Sequence, residues 1–333
     1  MKKILSIWLL ISIFSISGDS LAKVKNCLAD VVNTVGKGSY TCLVCGFDNS
    51  SGNTDTIIAV NYNAVENSIS FVHVPRDSYY NFGTAQNKIN QIVPMRINTG
   101  DDKKDGLNTL TKELSESLGI DIDGYTALTE EAVANLVDMI GGININVPCD
   151  IEGTDIDGNK VEIKRGEQHL SGKECLVLIR HRSTYPLGDL SRIDMQKVFL
   201  SAFVKDLFEN INTSLAIKLF TTKDKGITTN VNIVEFLSFF IKNLGRIKNA
   251  SVKFATLPGE AVISDSGVSY FGINKKASVA LLSELGFLRP SGFDPCGKFL
   301  YDSGRLKEIY FSENIKYRVY TSDELKSLRI ITN

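Results

Sequence analysis

The sequence predicts an α/β fold: a three-layer α-β-α sandwich with a central mixed sheet and extra β-hairpins. Three observations predict it. Apolar strand-like runs alternate with stretches of helical period. Turn-rich links join some of those runs as hairpins. Glycines stand where the helical patterns stop, at Gly36, Gly119 and Gly141-Gly142. Alternating helices and strands with hairpins pack best as helices on both faces of one mixed sheet.

Each element has its own signal. In "KVKNCLADVVNTVGKG", Val24, Cys27, Leu28, Val31, Val32 and Val35 make one helical stripe over 23–39. Tyr40–Phe47, Thr56–Tyr62 and Ser68–Val74 read as strands, with "NAVENS" turning between the last two. Leu107–Leu118 reads as a helix closed by Gly119, and Tyr125–Leu128 as a short strand. Thr129 or a neighbour caps the helix Glu130–Ile140, after which "ININVP" returns as a strand. "DIEGTDIDGNKVEIK" is a hairpin whose Asp157-Gly158 pair predicts a type I′ turn. Ser171 and Glu174 form a capping-box pattern opening a short helical turn. "LVLIRHR" then reads as a buried strand, and a long helix runs from Asp189 or Ser191 to about Asn210. From about Ser251 come short strands and one helix near Lys275–Leu285, with no Pro-, Gly- or Ser-rich linker before them.

Composition sets limits on function. The 333 residues, 43% hydrophobic and 23% charged, suffice for a substantial core. Lys plus Arg is 37 against 38 Asp plus Glu, so a global basic field for nucleic acid is absent and any anion site is local. Lys2-Lys3 precede fifteen uncharged residues, Ile4 to Gly18. As a helix that run spans roughly 22 Å, short of the ~30 Å bilayer core. Residues 1–22 therefore read as a signal peptide ending near "SLA-K", or as a short retained anchor. Either places the bulk of the chain outside the cytoplasm. Six cysteines (27, 42, 45, 149, 175, 296) suit export without requiring disulfides. Cys42 and Cys45 stand three apart on a strand, so they point to opposite faces and read as small core hydrophobes.

The stretch "IRHRSTYPLGDLSRIDMQ" concentrates charge. On a strand, Arg180 and Arg182 share a face and His181 takes the other, as a structural histidine. Arg192 and Gln196, four apart on the next helix, share a face too. Asp189 at the helix start is favoured by the dipole. Planar forked donors converging beyond a strand's C-terminal end suit phosphate or pyrophosphate. The competing reading is a charged loop with surface ion pairs. Asp48 and Asp55 flank a loop of small residues that could fold both carboxylates onto one Mg²⁺, with Mn²⁺ the alternative. "HVPRDS" adds Arg76 and Asp77 after a third strand. If the three strands are neighbours, arginines and a hard-cation site converge, as phosphoryl transfer requires.

At these residues the chain resembles the LytR-CpsA-Psr (LCP) family of bacterial cell-envelope proteins, from about Tyr40 to Lys205 and less specifically beyond. The segments carrying the resemblance are "CLVCGFD", "SGNTDTIIAVNYNAVENSISFVHVPRDSYY", "NKIN", "SLGIDIDGYTALTEEAVANLVDMIGGININVP" and "GEQHLSGKECLVLIRHRSTYPLGDLSRIDMQ". The resemblance implies a single catalytic domain over 40–333 with its motifs in 40–205. It implies a phosphotransferase that moves a glycopolymer, teichoic acid or capsular-type polysaccharide, from undecaprenyl pyrophosphate to a muramic-acid hydroxyl of peptidoglycan, the lipid tail lying in an apolar tunnel. By position it implies Mg²⁺ on Asp48 and Asp55, pyrophosphate on Arg76, Arg180, Arg182, Arg192 and Gln196, and Lys88 near the site. Asp77 or Asp189 would act as base beside Arg180 and Arg182. One departure stands out: Asn53 occupies a place where the family usually carries arginine, which puts turnover in question. A hydrolase at the same site and a non-catalytic polyprenyl-phosphate or glycan binder are the alternatives; nucleic acid is not an expected partner.

Overall fold

Residue alternation on β1 (Ser39–Phe47) sets up the whole architecture. Buried and half-buried residues alternate along its entire length, giving one face to a dry core and the other to a looser layer. The computed structural model describes residues 39–47, 52–83, 87–98, 100, 102–182, 189–221, 226–264, 266–287 and 315–328. The leader 1–22, residues 23–38 of the expected N-terminal helix, Asp48, Cys27 and Cys296 lie outside the described residues, and Ser39 opens β1 instead. β1 pairs antiparallel with β2 (Thr54–Asn63), and β2 with β3 (Ser68–His73). The expected hairpin closes with Asn67 at φ 51°, a conformation Asn tolerates, while the Asn63 side chain accepts from the N–H groups of Val65 and Glu66.

On its other edge β1 pairs parallel with β4 (Gly124–Leu128), which pairs antiparallel with β9 (Ile227–Thr229). β3 pairs parallel with β10 (Ser251–Thr256), which carries β13 (Tyr320–Thr321) antiparallel. The result is a seven-stranded mixed sheet of order β13-β10-β3-β2-β1-β4-β9. The C-terminal ends of β1, β3, β4 and β10 therefore share one edge, where β2 begins. The strands expected over Tyr40–Phe47, Thr56–Tyr62 and Ser68–Val74 are neighbours in it, whereas the stretch carrying Arg180 and Arg182 is not part of the sheet.

One face of the sheet is closed by α1 (Ile92–Asn98), α2 (Lys103–Leu118) and α8 (Lys275–Glu284). α2 starts four residues earlier than its apolar stripe because Asp102 caps it, accepting from the Asp105 N–H at 2.9 Å. It ends where Gly119 turns left-handed at φ 64°. Leu107, Leu110 and Leu114 lie fully buried with Ile57, Ala59 and Val72 of the sheet. Each of these side chains larger than alanine contributes about 1.5–3 kcal/mol.

The opposite face carries α3 (Glu130–Met139), α4 (Gly172–Arg180) and the long α5 (Asp189–Asn210). Thr129 caps α3 as expected, accepting from Ala132, and Gly141 and Gly142 stop it at φ 93° and 88°. Beyond them β5 (Ile143–Val147) pairs with β8 (Gly166–Leu170), and β6 (Ile151–Thr154) with β7 (Lys160–Ile163). α6 (Thr213–Thr221) and α7 (Ile233–Ile247) build a third apolar cluster. β11 (Gly259–Ile263), β12 (Ser269–Ile273) and α9 (Ser322–Lys326) complete the order. Among the described residues, no helix is long and apolar enough to cross a membrane.

Two local expectations are corrected. "LVLIRHR" is not a strand: the capping box of Ser171 and Glu174 forms, and the helix it opens continues to Arg180. Cys175, Leu176, Val177 and Leu178 all bury against neighbouring layers, so a short all-apolar run suited either period, and the cap decided. The hairpin turn is not type I′, because Gly158 alone takes a positive φ, at 87°, and Asp157 does not. Instead the Asp155 side chain accepts from the N–H groups of Asp157 and Asn159 across a longer loop.

Candidate functional site

Antiparallel entry of β2 at the sheet's shared edge puts Asp55 beside the exits of β1 and β3. Asp55 is a node. Its Oδ2 lies 2.8 Å from Nη1 of Arg76, which follows β3, and 3.9 Å from Nη2 of Arg182. Its backbone carbonyl accepts from Nη2 of Arg192 at 3.2 Å. Gln196, one turn further along α5, donates from Nε2 to Thr56 Oγ1 at 3.1 Å. Arg192 and Gln196 are only 4% and 6% exposed, so α5 brings a guanidinium and a carboxamide to the sheet edge with little water around them. Charges held this way interact more strongly than surface pairs do.

Arg76 also lies 3.7 Å from Asp77 Oδ2, and Asp77 Oδ1 meets Lys88 Nζ at 2.9 Å. Lys88 stands in turn 5.7 Å above the Tyr270 ring. Arg180 and Arg182 arrive at this edge from the end of α4 rather than along a strand. The predicted side-by-side pairing on one strand face is therefore wrong, although both residues border the same space. A cation is favoured there, since α4 presents its C-terminus. Arg180 Nη1 meets Glu130 Oε2, at the start of α3, at 3.2 Å. His181 caps α4, its N–H donating to the Val177 carbonyl, and burial lowers its pKa, in keeping with a structural histidine. Asp189 opens α5, but its side chain, like Asp48 and the loop to Ser51, lies outside the described residues.

Behind the polar rim lies a cavity of about 520 Å³ between the sheet and α3, α4 and α5. Asp55, Arg180, Arg182, Arg192 and Gln196 border it, and its walls are apolar, with Val133, Leu176, Ile179, Phe199, Leu200 and Phe203 prominent. From Arg192 to Phe203 α5 rises roughly 16 Å, so the cavity runs well away from the charged edge. A phosphate-sized head and a hydrocarbon tail fit the two ends of this one space. Glu130, Thr56 and these apolar walls were not singled out from the sequence. Glu130 looks there like an ordinary first-turn acid, and the wall residues like core.

The donor chemistry suits a hard divalent cation to a limited extent. Mg²⁺ is held by one or two carboxylates plus substrate phosphates rather than by an all-protein cage. Asp55 is such a carboxylate, at an edge lined with guanidiniums. Among the described residues no group of three or more His, Cys, Asp or Glu gathers, and that mode of binding does not require one. Cys45 lines the cavity but offers no nucleophile: burial pushes the Cys42 thiol up to about 12 and raises Cys45 and Cys175 as well, which keeps them protonated.

A family model described as the LytR_cpsA_psr family matches residues 13–285. The chain belongs to the LytR-CpsA-Psr family. TagV of Bacillus subtilis, named a polyisoprenyl-teichoic acid–peptidoglycan teichoic acid transferase, is 26% identical over 225 residues, covering 64% of this chain and 55% of TagV. The cell wall biosynthesis protein LcpA of Corynebacterium glutamicum is 26% identical over 285 residues, covering 79% of this chain and 54% of LcpA. The matched region thus spans about half the length of either relative. Among solved structures, B. subtilis TagV superposes with a TM-score of 0.61 at 21% identity, over 76% of this chain and 99% of that one. TagT bound to LI-WTA superposes at 0.58 and 23% identity, over 75% and 90%. These two likenesses bear on the fold, and they agree with the sandwich described above.

Proposed function

We propose that this LCP-family protein is a phosphotransferase that moves a glycopolymer, teichoic acid or capsular-type polysaccharide, from undecaprenyl pyrophosphate to a muramic-acid hydroxyl of peptidoglycan. The observation that carries the reading is the joining of a guanidinium-lined rim to an apolar cavity of about 520 Å³. That pairing matches a ligand with an anionic head and a long hydrocarbon tail. The transferase names of the relatives point the same way.

In this reading Arg76, Arg182 and Arg192 hold the diphosphate oxygens, and Gln196 orients them. Arg180 and Lys88 add charge at the two sides of the rim. The acceptor oxygen attacks the sugar-proximal phosphorus, and the bridging P–O bond to the lipid phosphate breaks. A phosphodiester and polyprenyl monophosphate result. Asp77 or Asp189 takes the acceptor proton; Asp77 is oriented for this by Lys88 and Arg76. Mg²⁺, or Mn²⁺ in its place, on Asp48 and Asp55 would neutralise charge developing on the phosphates. Asn53 stands where the family usually carries arginine, and one guanidinium fewer should weaken binding by about 1–3 kcal/mol. The acceptor, peptidoglycan, and the lipid-borne donor place the reaction at the outer face of the cell membrane.

The test incubates the full chain with Mg²⁺, a polyprenyl-pyrophosphate-linked saccharide and peptidoglycan fragments. Mass spectrometry should find the saccharide joined to the fragment by a phosphodiester. Free saccharide phosphate alone would make the protein a hydrolase, and bound lipid without turnover would make it a carrier protein.

A further inference from the structure

Glu130 is an acidic side chain at the edge of a space lined with arginines. It borders the cavity, and its Oε2 is 3.2 Å from Arg180 Nη1. Each partner is placed by its own helix. Glu130 is the first residue of α3, where the dipole favours a carboxylate, and Arg180 is the last of α4, where it favours a cation. The two helices are locked together. A Cβ on Gly172 would lie 2.1 Å from the Ala134 carbonyl oxygen, and the Gly172 N–H donates to Asp138 at 2.7 Å. The pair thus spans two fixed helix ends across the cavity edge, and Arg180 can change partner by rotating its side chain alone.

We propose that Glu130 is a resident counter-ion that sets the affinity of this site for phosphate by occupying Arg180 until an anionic headgroup replaces it. The proposal rests on the phosphate-binding reading above and adds a residue to it. Arg180 is half-exposed, so its guanidinium can reach a ligand phosphate, but any phosphate that recruits it must first displace a carboxylate. Glu130 does not itself touch substrate. It acts through Arg180, as a positioning residue.

Isothermal titration of the full chain with geranylgeranyl pyrophosphate tests this. Wild type, Glu130→Gln, Arg180→Gln and the double variant are compared, each checked for cooperative thermal unfolding, with Glu130→Ala serving in place of a Gln variant that fails that check. Loss of a partly exposed pair corresponds to about a 3- to 5-fold change, so Glu130→Gln should bind that much more tightly. The gain should vanish in the Arg180→Gln background. A residue of merely structural importance would weaken binding when replaced. Equal or weaker binding by Glu130→Gln, or a gain that survives without Arg180, overturns the proposal alone. Wild type that binds no geranylgeranyl pyrophosphate overturns the phosphate-binding reading and this proposal together.

Discussion

The two faces of the central sheet are built from the same strands to opposite ends. On the closed face, Leu43, Ile57, Ala59 and Val72 meet α2 leucines that are fully buried. On the open face, Val44, Thr56 and Ile58, the chain neighbours of Leu43, Ile57 and Ala59, border a cavity that α3, α4 and α5 roof but do not fill. Period-two alternation lets one strand serve both demands at once. The closed face holds the sheet rigid, so the open face can leave space without collapsing. The same division sets the chemistry, since the charged rim stands where the open face reaches the strand ends.

This contrast can be broken by mutation. The largest effect is expected on the closed face, where Leu110→Ala should cost about 2–5 kcal/mol in denaturant unfolding. Leu200→Ala, on a half-buried cavity wall, should cost under about 1.5 kcal/mol, because its side chain already borders open space. Equal costs at the two positions would contradict the division. At the rim, Arg192→Ala should reduce kcat/KM for transfer by about 10²–10³-fold, and Arg192→Lys should not restore it, because a point charge lacks the planar fork. Within the cavity, Val133→Trp should weaken geranylgeranyl pyrophosphate binding by about 10-fold in calorimetry while leaving inorganic pyrophosphate binding unchanged.

A further effect reads the molecule through pH. His73 lies fully buried at the end of β3, and its pKa is pushed from 6.5 down to about 3, first by burial and then by Lys197. The unfolded chain therefore takes up this proton before the folded one does. The stabilising contribution is whole above pH 6.5 and is lost as pH falls toward 3, by at most about 1.4 kcal/mol per unit. A His73→Gln variant should show a flatter loss of stability over that window in pH-dependent thermal unfolding.

Much of this was legible in the residues, for identifiable reasons. β1 alternates cleanly because it has one dry face, and Gly119 and Gly141-Gly142 stop helices by conformations that side chains resist. α4 was misread because Val177 and Ile179 favour strands while Cys175 to Leu178 are buried on every side, which erases the period. Arg180, Arg182, Arg192 and Gln196 still meet, because the charge sits at the end of its element whichever element it is. α7 went unpredicted although its apolar residues recur at helical spacing, and α1 and α6 are short. Glu130 could not be recognised, since its role depends on a helix end fifty residues away. The cavity was equally silent: Phe199 and Phe203 look the same in a sequence whether they fill a core or line a space.

The central claim is that one ligand occupies the charged rim and the apolar cavity together. A crystal structure of the full chain with geranylgeranyl pyrophosphate and Mg²⁺ tests it most directly. The diphosphate is expected against Arg76, Arg182, Arg192 and Gln196, with the isoprenoid chain passing between Val133, Leu176 and Phe199. A diphosphate bound elsewhere, or a tail lying on the outer surface with the cavity empty, would contradict it.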